Sequence, residues 1–290
     1  FLTSSVLTVL FVLAAWKVVP ESERGQRQRL PYRRLLLLGT SVVLVGASGQ
    51  FADIAARGAL IAAGILCLFV TLRLDRVEDN LFPRRVLSLF APVGTAYWVF
   101  LLLSAAYTPM TIFLPLALQQ IYGLDPLWIG YVLTVFSVAW TVGSLATAGW
   151  NDRLTRVVCA SGLSFTAISI LGIAITLGDA SIWVLTGFVT LAGIGVGMTN
   201  VHSISWALAA AGEAESRITA SAAPAMRSIG IAYGAAIAGM IANAAGLAGG
   251  TDPETVEFAL SWVFALGALV PLAGSLCVIR MYQLKPGVTI

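Results

Sequence analysis

Apolar residues run along this chain in long, nearly unbroken blocks, at roughly 1–16, 35–52, 58–72, 94–121, 127–149, 157–178, 181–206, 227–248 and 258–280. Most reach the ~17–25 residues that an α-helix needs to cross the hydrocarbon core of a bilayer. A backbone in lipid must satisfy its own N–H and C=O groups, and the two-residue alternation of a membrane β-barrel is absent, so each block predicts a transmembrane helix. The predicted fold class is all-α, a polytopic bundle of about nine helices. Composition sharpens this: 58% of residues are hydrophobic and 11% charged, whereas soluble domains carry about 25% charged residues. A water-soluble fold is excluded.

The polar intervals alternate in charge. Sixteen of the 17 Lys and Arg residues fall on one side of the predicted membrane, Arg57 being the exception. Those intervals hold Lys17, Arg24, Arg27, Arg29, Arg33 and Arg34, then Arg73, Arg76, Arg84 and Arg85, then Arg153 and Arg156, then Arg217 and Arg227, and the tail with Arg280 and Lys285. They are read as cytoplasmic, with a cytoplasmic C-terminus. The opposite intervals are acidic, with Asp53, Asp125, Asp179, Asp252, Glu254 and Glu257. The net charge of +3 suits an anionic leaflet and not nucleic acid. Nine crossings with that orientation put Phe1 outside. With no initiator Met, basic leader or cleavage site, the expectation is a chain cut at its N-terminus.

The sharpest local motif is Gly149-Trp150-Asn151-Asp152-Arg153-Leu154-Thr155-Arg156, in a loop on the basic side. A Gly ends one helix, an Asp caps the next, and two Arg residues pair with acids or helix C-terminal carbonyls across that face. The plain alternative is a short loop that obeys the positive-inside rule. A second stretch is Phe113-Leu114-Pro115-Leu116-Ala117-Leu118-Gln119-Gln120 followed by Tyr122-Gly123-Leu124-Asp125-Pro126-Leu127-Trp128-Ile129-Gly130. A third is Arg227-Ser228-Ile229-Gly230-Ile231-Ala232-Tyr233-Gly234.

The first motif resembles the G-x-x-x-D-R-x-x-R loop of the major facilitator superfamily. The others resemble the "LPLYLQ…G-x-S-P-x-x-x-G" and "R-x-L-G-x-x-x-G" stretches of its fourteen-helix drug/proton antiporters of the EmrB/QacA type, with Asp125 where Ser is usual. The likeness covers about residues 94–280. It implies that 1–16 is the last helix of an N-terminal bundle, 17–34 and 73–93 are cytoplasmic linkers, and 35–72 is an inserted hairpin. It further implies a C-terminal six-helix bundle at 94–280, built as a 3+3 inverted repeat, and a cytoplasmic tail at 281–290.

Substrate contacts are expected from polar or aromatic residues within spans. The candidates are Tyr107, Thr108, Thr111, Gln119, Trp140, Asn200 and Arg227, with Thr141, Ser144, Thr199 and Tyr233 behind them. For any one of them the competing role is interhelical packing or hydrogen bonding. Pro109, Pro115 and Pro271 predict broken or kinked spans, and irregular backbone in transporters lines the cavity. Arg227 is expected to open its span, where a terminal Arg snorkels to the interface or is drawn into the cavity. Gly193, Gly195 and Gly197 predict close helix packing rather than a phosphate cradle, as do Gly230, Gly234, Ala238 and Ala242. His202 is either a proton relay or a hydrogen-bonded residue at a helix end. Cys67, Cys159 and Cys277 have no ligand spacing and read as packing residues. No metal, cofactor or enzymatic role is expected.

The resemblance implies a proton-coupled exporter of amphiphilic or drug-like small molecules, working by alternating access in a cell membrane and as a monomer. Its gate would be Gly149, Asp152, Arg153 and Arg156. None of the last eight spans carries an acid at mid-depth, so protons enter by resemblance alone. A uniporter or symporter of the same fold, or a noncatalytic membrane scaffold, is the competing reading.

Overall fold

The computed structural model describes residues 9, 11–12, 31–51, 53–75, 82–83, 85–150, 152–250 and 252–284. It is all-α over these residues: α1 (Tyr32–Ser48), α2 (Ile54–Asp75), α3 (Pro92–Gln120), α4 (Pro126–Thr147) and α5 (Asp152–Thr176). A helical rod Ile182–Ala244 follows, divided into α6 (Ile182–Gly212) and α7 (Glu215–Ala244), and then come α8 (Pro253–Gly267) and α9 (Leu269–Gln283). Seven segments are long and apolar enough to cross a membrane, with α8 and α9 counting as one. The chain is a multi-pass membrane protein. The predicted span at 1–16 lies outside the described residues except for Val9, Phe11 and Val12, which are exposed.

The largest departure from expectation is at the 206–227 connection. Instead of a loop, helix continues to Gly212 and resumes at Glu215. Gly212 alone breaks it, at φ 65° and ψ 177°, a left-handed backbone that glycine adopts without Cβ strain. Arg217 therefore lies in the first turn of α7. Arg227 lies twelve residues in, about 18 Å along the axis at ~1.5 Å per residue, and not at the mouth of its span.

Packing in the bundle follows small residues, as expected where lipid competes for every apolar contact. A Cβ on Gly193 or Gly197 would collide with the α4 backbone at Phe136 or Trp140, and one on Gly195 would collide with Gly162 of α5. Gly230 and Gly234 meet the α3 backbone at Leu101 and Ala105 in the same way. The glycine clusters are thus contact points between helices. Larger side chains, among them Leu103, Met110, Leu114, Leu163, Ile170, Leu185 and Phe264, fill the interior. Others, including Leu145, Ile175, Trp183 and Leu276, cover the perimeter.

The prolines act unevenly. α3 stays helical throughout despite Pro109 and Pro115. The last span divides at Ala268, three residues before Pro271, whose ring opposes the carbonyl one turn back.

α1 and α2 pack against each other, and α1 lies against α7. The Asp53 carboxylate accepts from the Ala56 N–H at 2.9 Å, starting α2. Arg57, the one basic residue on the acidic side, donates through Nη2 to the Phe51 carbonyl at 2.8 Å and so closes the turn. The buried face of α1 is Arg34, Ser41, Val45 and Ser48. Ser41 and Tyr233 of α7 share a hydrogen bond of 2.6 Å, and Asn243 Nδ2 donates to the Gly49 carbonyl at 2.7 Å. At the far end Arg34 donates to Asp75 Oδ1 at 2.7 Å. The other Asp75 oxygen accepts from the Phe82 N–H at 3.0 Å.

Candidate functional site

α3, α4 and α7 bring three of the sequence candidates together. The Arg227 Nε donates to the Tyr107 hydroxyl at 3.1 Å. Its guanidinium carbon lies 5.1 Å from the centroid of the Trp140 ring and 6.0 Å from that of Tyr107, within cation–π range. Tyr107 and Trp140 meet edge-on at 5.3 Å, and Phe136 joins at 6.2 Å from Tyr107 and 6.0 Å from Trp140. Tyr107 and Phe136 are buried, while Trp140 and Arg227 are half-buried. The result is an aromatic floor with a cation at its edge.

Each part is positioned by local rules. Phe136 and Trp140 lie four residues apart and so share one face of α4. Gly193 and Gly197 hold that helix tight against α6. Gly230 and Gly234 hold α7 tight against α3, which brings Arg227 within reach of Tyr107.

The other candidates do not join the cluster. Thr108 is fully buried and its hydroxyl donates to the Ser104 carbonyl at 2.7 Å. Thr111 faces outward and bonds the Thr108 carbonyl at 2.9 Å. Gln119 is exposed at the end of α3, and Asn200 is half-buried on α6. Ser144 donates across to the Gly197 carbonyl at 3.2 Å, Thr199 to the Cys159 carbonyl at 3.2 Å, and Tyr233 is taken up by α1. These are interhelical ties. Thr141 is exposed and bonds the Ser137 carbonyl at 3.1 Å.

Of the loop motif, Gly149 has φ 82° and turns the chain out of α4, with nothing within 4 Å of where a Cβ would sit. Its backbone angle, not space, requires glycine. Asp152, Arg153 and Arg156 lie in the opening turns of α5, and their side chains are outside the described residues.

His202 is buried on α6 beside the Thr147 backbone at the end of α4, and its Nε2 has no hydrogen-bond partner among the described residues, so it lies at a helix contact rather than at a surface. The three cysteines are free. Among the described residues no His, Cys, Asp and Glu grouping has the makings of a metal site.

At the acidic end the Gly178 N–H donates to the Tyr122 hydroxyl at 3.2 Å. Burial raises the Tyr122 phenol above its ordinary pKa, and the charges of Glu257 and Asp179 add to the rise.

The sequence did not single out Phe136, or the Arg34–Asp75 pair at the base of the hairpin. The four-residue spacing of Phe136 and Trp140 is a signal that would have found the first. Nothing local pairs residues 41 positions apart.

The chain is similar to two curated proteins from two strains of Mycobacterium tuberculosis, each described as a probable multidrug-efflux transporter. Each is 27% identical over 253 residues, covering 82% of this chain and 52% of the relative. The chain thus spans about half the length of the curated relatives it matches. No family profile matches it.

Proposed function

We propose that this chain forms the second six-helix bundle of a major facilitator exporter that moves amphiphilic small molecules by alternating access in exchange for protons. The observation that carries the reading is the half-buried Arg227 with Tyr107 and Trp140, well inside the helical span. An ionisable group drawn in among transmembrane helices is costly and is a mark of substrate or ion pathways. Likeness to the two probable multidrug-efflux transporters supports the direction and the breadth of cargo. The Gly149–Arg156 loop supports the superfamily, and rocking of one bundle against another supplies the transport cycle.

The test is accumulation of a fluorescent panel (cationic ethidium, a neutral amphiphile and an anionic one) in inverted vesicles carrying the full-length protein. The expected result is uptake of at least one dye under an imposed pH gradient, collapsed by a protonophore. Uptake no higher than in protein-free vesicles for the whole panel overturns the reading. Asp152→Ala and Arg153→Ala are expected to slow flux at equal expression, and unchanged flux removes the gate assignment.

A further inference from the structure

We infer that Arg227, Tyr107 and Trp140 form a recognition site for the anionic group of an aromatic amphiphile, so that the preferred cargo carries a carboxylate or similar anion. This rests on the transport reading and names its substrate class.

The first ground is the position of the charge. Arg227 lies about 18 Å along α7 from its start, within the helix and not at its end, and its side chain is engaged between α3 and α4. A half-buried cation among apolar helices is stable only where a partner or water compensates it. The second ground is what compensates it. The one ion pair among the described residues is Arg34–Asp75, so no described carboxylate serves Arg227. Its described partners are a neutral hydroxyl and two ring faces. The tyrosine occupies only the Nε edge, and the Nη donors, which match a carboxylate in paired fashion, make no hydrogen bond among the described residues.

The third ground is access and shape. Arg227 and Trp140 are half-buried while Tyr107 and Phe136 are buried, so the accessible surface of the cluster belongs to Arg227 and Trp140. A planar apolar group can lie against Trp140 while its anion reaches the guanidinium. A cationic amphiphile gains the same aromatic contact but meets a like charge in a medium of reduced dielectric. The charge of the site thus narrows amphiphilic cargo to the anionic kind and argues against cationic amphiphiles.

The other candidates carry less. The cavity between α3, α6 and α7, lined by residues including Tyr97, Phe100, Ala207 and Ala223, is small and apolar and excludes Arg227, Tyr107 and Trp140. His202 is a single buried ring against the end of α4, with no second polar side chain bonded to it.

The experiment is equilibrium binding of pyrenebutyrate, its uncharged methyl ester and protonated pyrenebutylamine to the full-length protein in lipid nanodiscs. Empty nanodiscs are subtracted to remove partitioning. The wild type is expected to bind the carboxylate at least tenfold tighter than the ester, equivalent to about 1.4 kcal/mol, and the amine most weakly. Arg227→Met is expected to bring the carboxylate-to-ester ratio to about one. Arg227→Lys is expected to keep a ratio of about two to five, since it retains charge but loses the fork.

A wild-type ratio below two, a preference for the amine, or a ratio unchanged in Arg227→Met overturns the inference. The wild-type ranking needs no variant to fold. Carboxylate preference without vesicle flux retains the site and removes the transport reading. Flux across the panel without carboxylate preference does the reverse.

Discussion

Arg34 and Arg227 are both packed among helices, but their settings differ. Arg34, at the base of the hairpin, has a side chain 5% exposed and holds Asp75, 6% exposed, at 2.7 Å. The carboxylate is further satisfied by the Phe82 N–H. Arg227, inside the bundle, is half-buried and has aromatic rings and a hydroxyl but no described acid. A buried charge with a matched counter-charge is a fastener, because removing either member strands the other. A charge with only soft neutral partners is held ready for something else.

The comparison breaks most visibly at Asp75. Asp75→Ala is expected to destabilise the protein by about 3–5 kcal/mol, because it leaves a buried guanidinium without its carboxylate and frees the Phe82 N–H. Denaturant titration in mixed micelles checks it, and a loss under about 1 kcal/mol would mean that the pair fastens nothing.

The helix contacts that set up the Arg227 site come next. Gly197→Ala puts a methyl group against the Trp140 carbonyl and is expected to cost about 1–3 kcal/mol as overpacking. It is also expected to weaken pyrenebutyrate binding by moving the Trp140 ring. Stability and binding that both match the wild type would detach the site from its packing.

Arg227→Met is expected to change stability by less than about 1 kcal/mol in either direction, since the charge is only half-buried and its removal strands no described counter-charge. A loss as large as that of Asp75→Ala in the same titration would make the two arginines alike and end the distinction.

The smallest effect is at the acidic end. The Asp252 carboxylate accepts from the Thr255 N–H at 3.0 Å and caps α8, which lowers its pKa below the ordinary aspartate value. A carboxyl whose folded pKa is depressed stabilises the fold above its unfolded pKa, and the contribution fades as pH falls through the lowered value. Asp252→Asn is expected to flatten that part of the stability profile below about pH 4, as followed by thermal unfolding across pH. An unchanged acid limb would place the titration elsewhere.

Hydropathy made the all-α class and most spans legible, because twenty apolar residues have few other fates. It failed where the residues are small. Residues 207–226 are rich in Ala and Ser with scattered charges, too polar for an apolar window yet strongly helical by propensity. That put Arg227 at a helix mouth when it belongs inside. Tyr107 and Trp140 were legible as candidates by type and position. Their meeting with Arg227 was not, since it depends on glycines in α6 and α7 that set interhelical distances. Tyr233 shows the opposite failure, a candidate for substrate contact that α1 had already claimed. Ser41 and Ser48 share the buried face of α1 at helical spacing, and that polar stripe on an apolar helix was the available hint.

α6 offers glycine to a different neighbour at alternate positions, Gly193 and Gly197 to α4 and Gly195 to α5. A helix gripped so closely on two flanks has no room to tilt toward one without lifting from the other. The three helices are packed as a single plank, so a shift at the α6 glycines reaches Phe136 and Trp140, the α4 share of the aromatic floor.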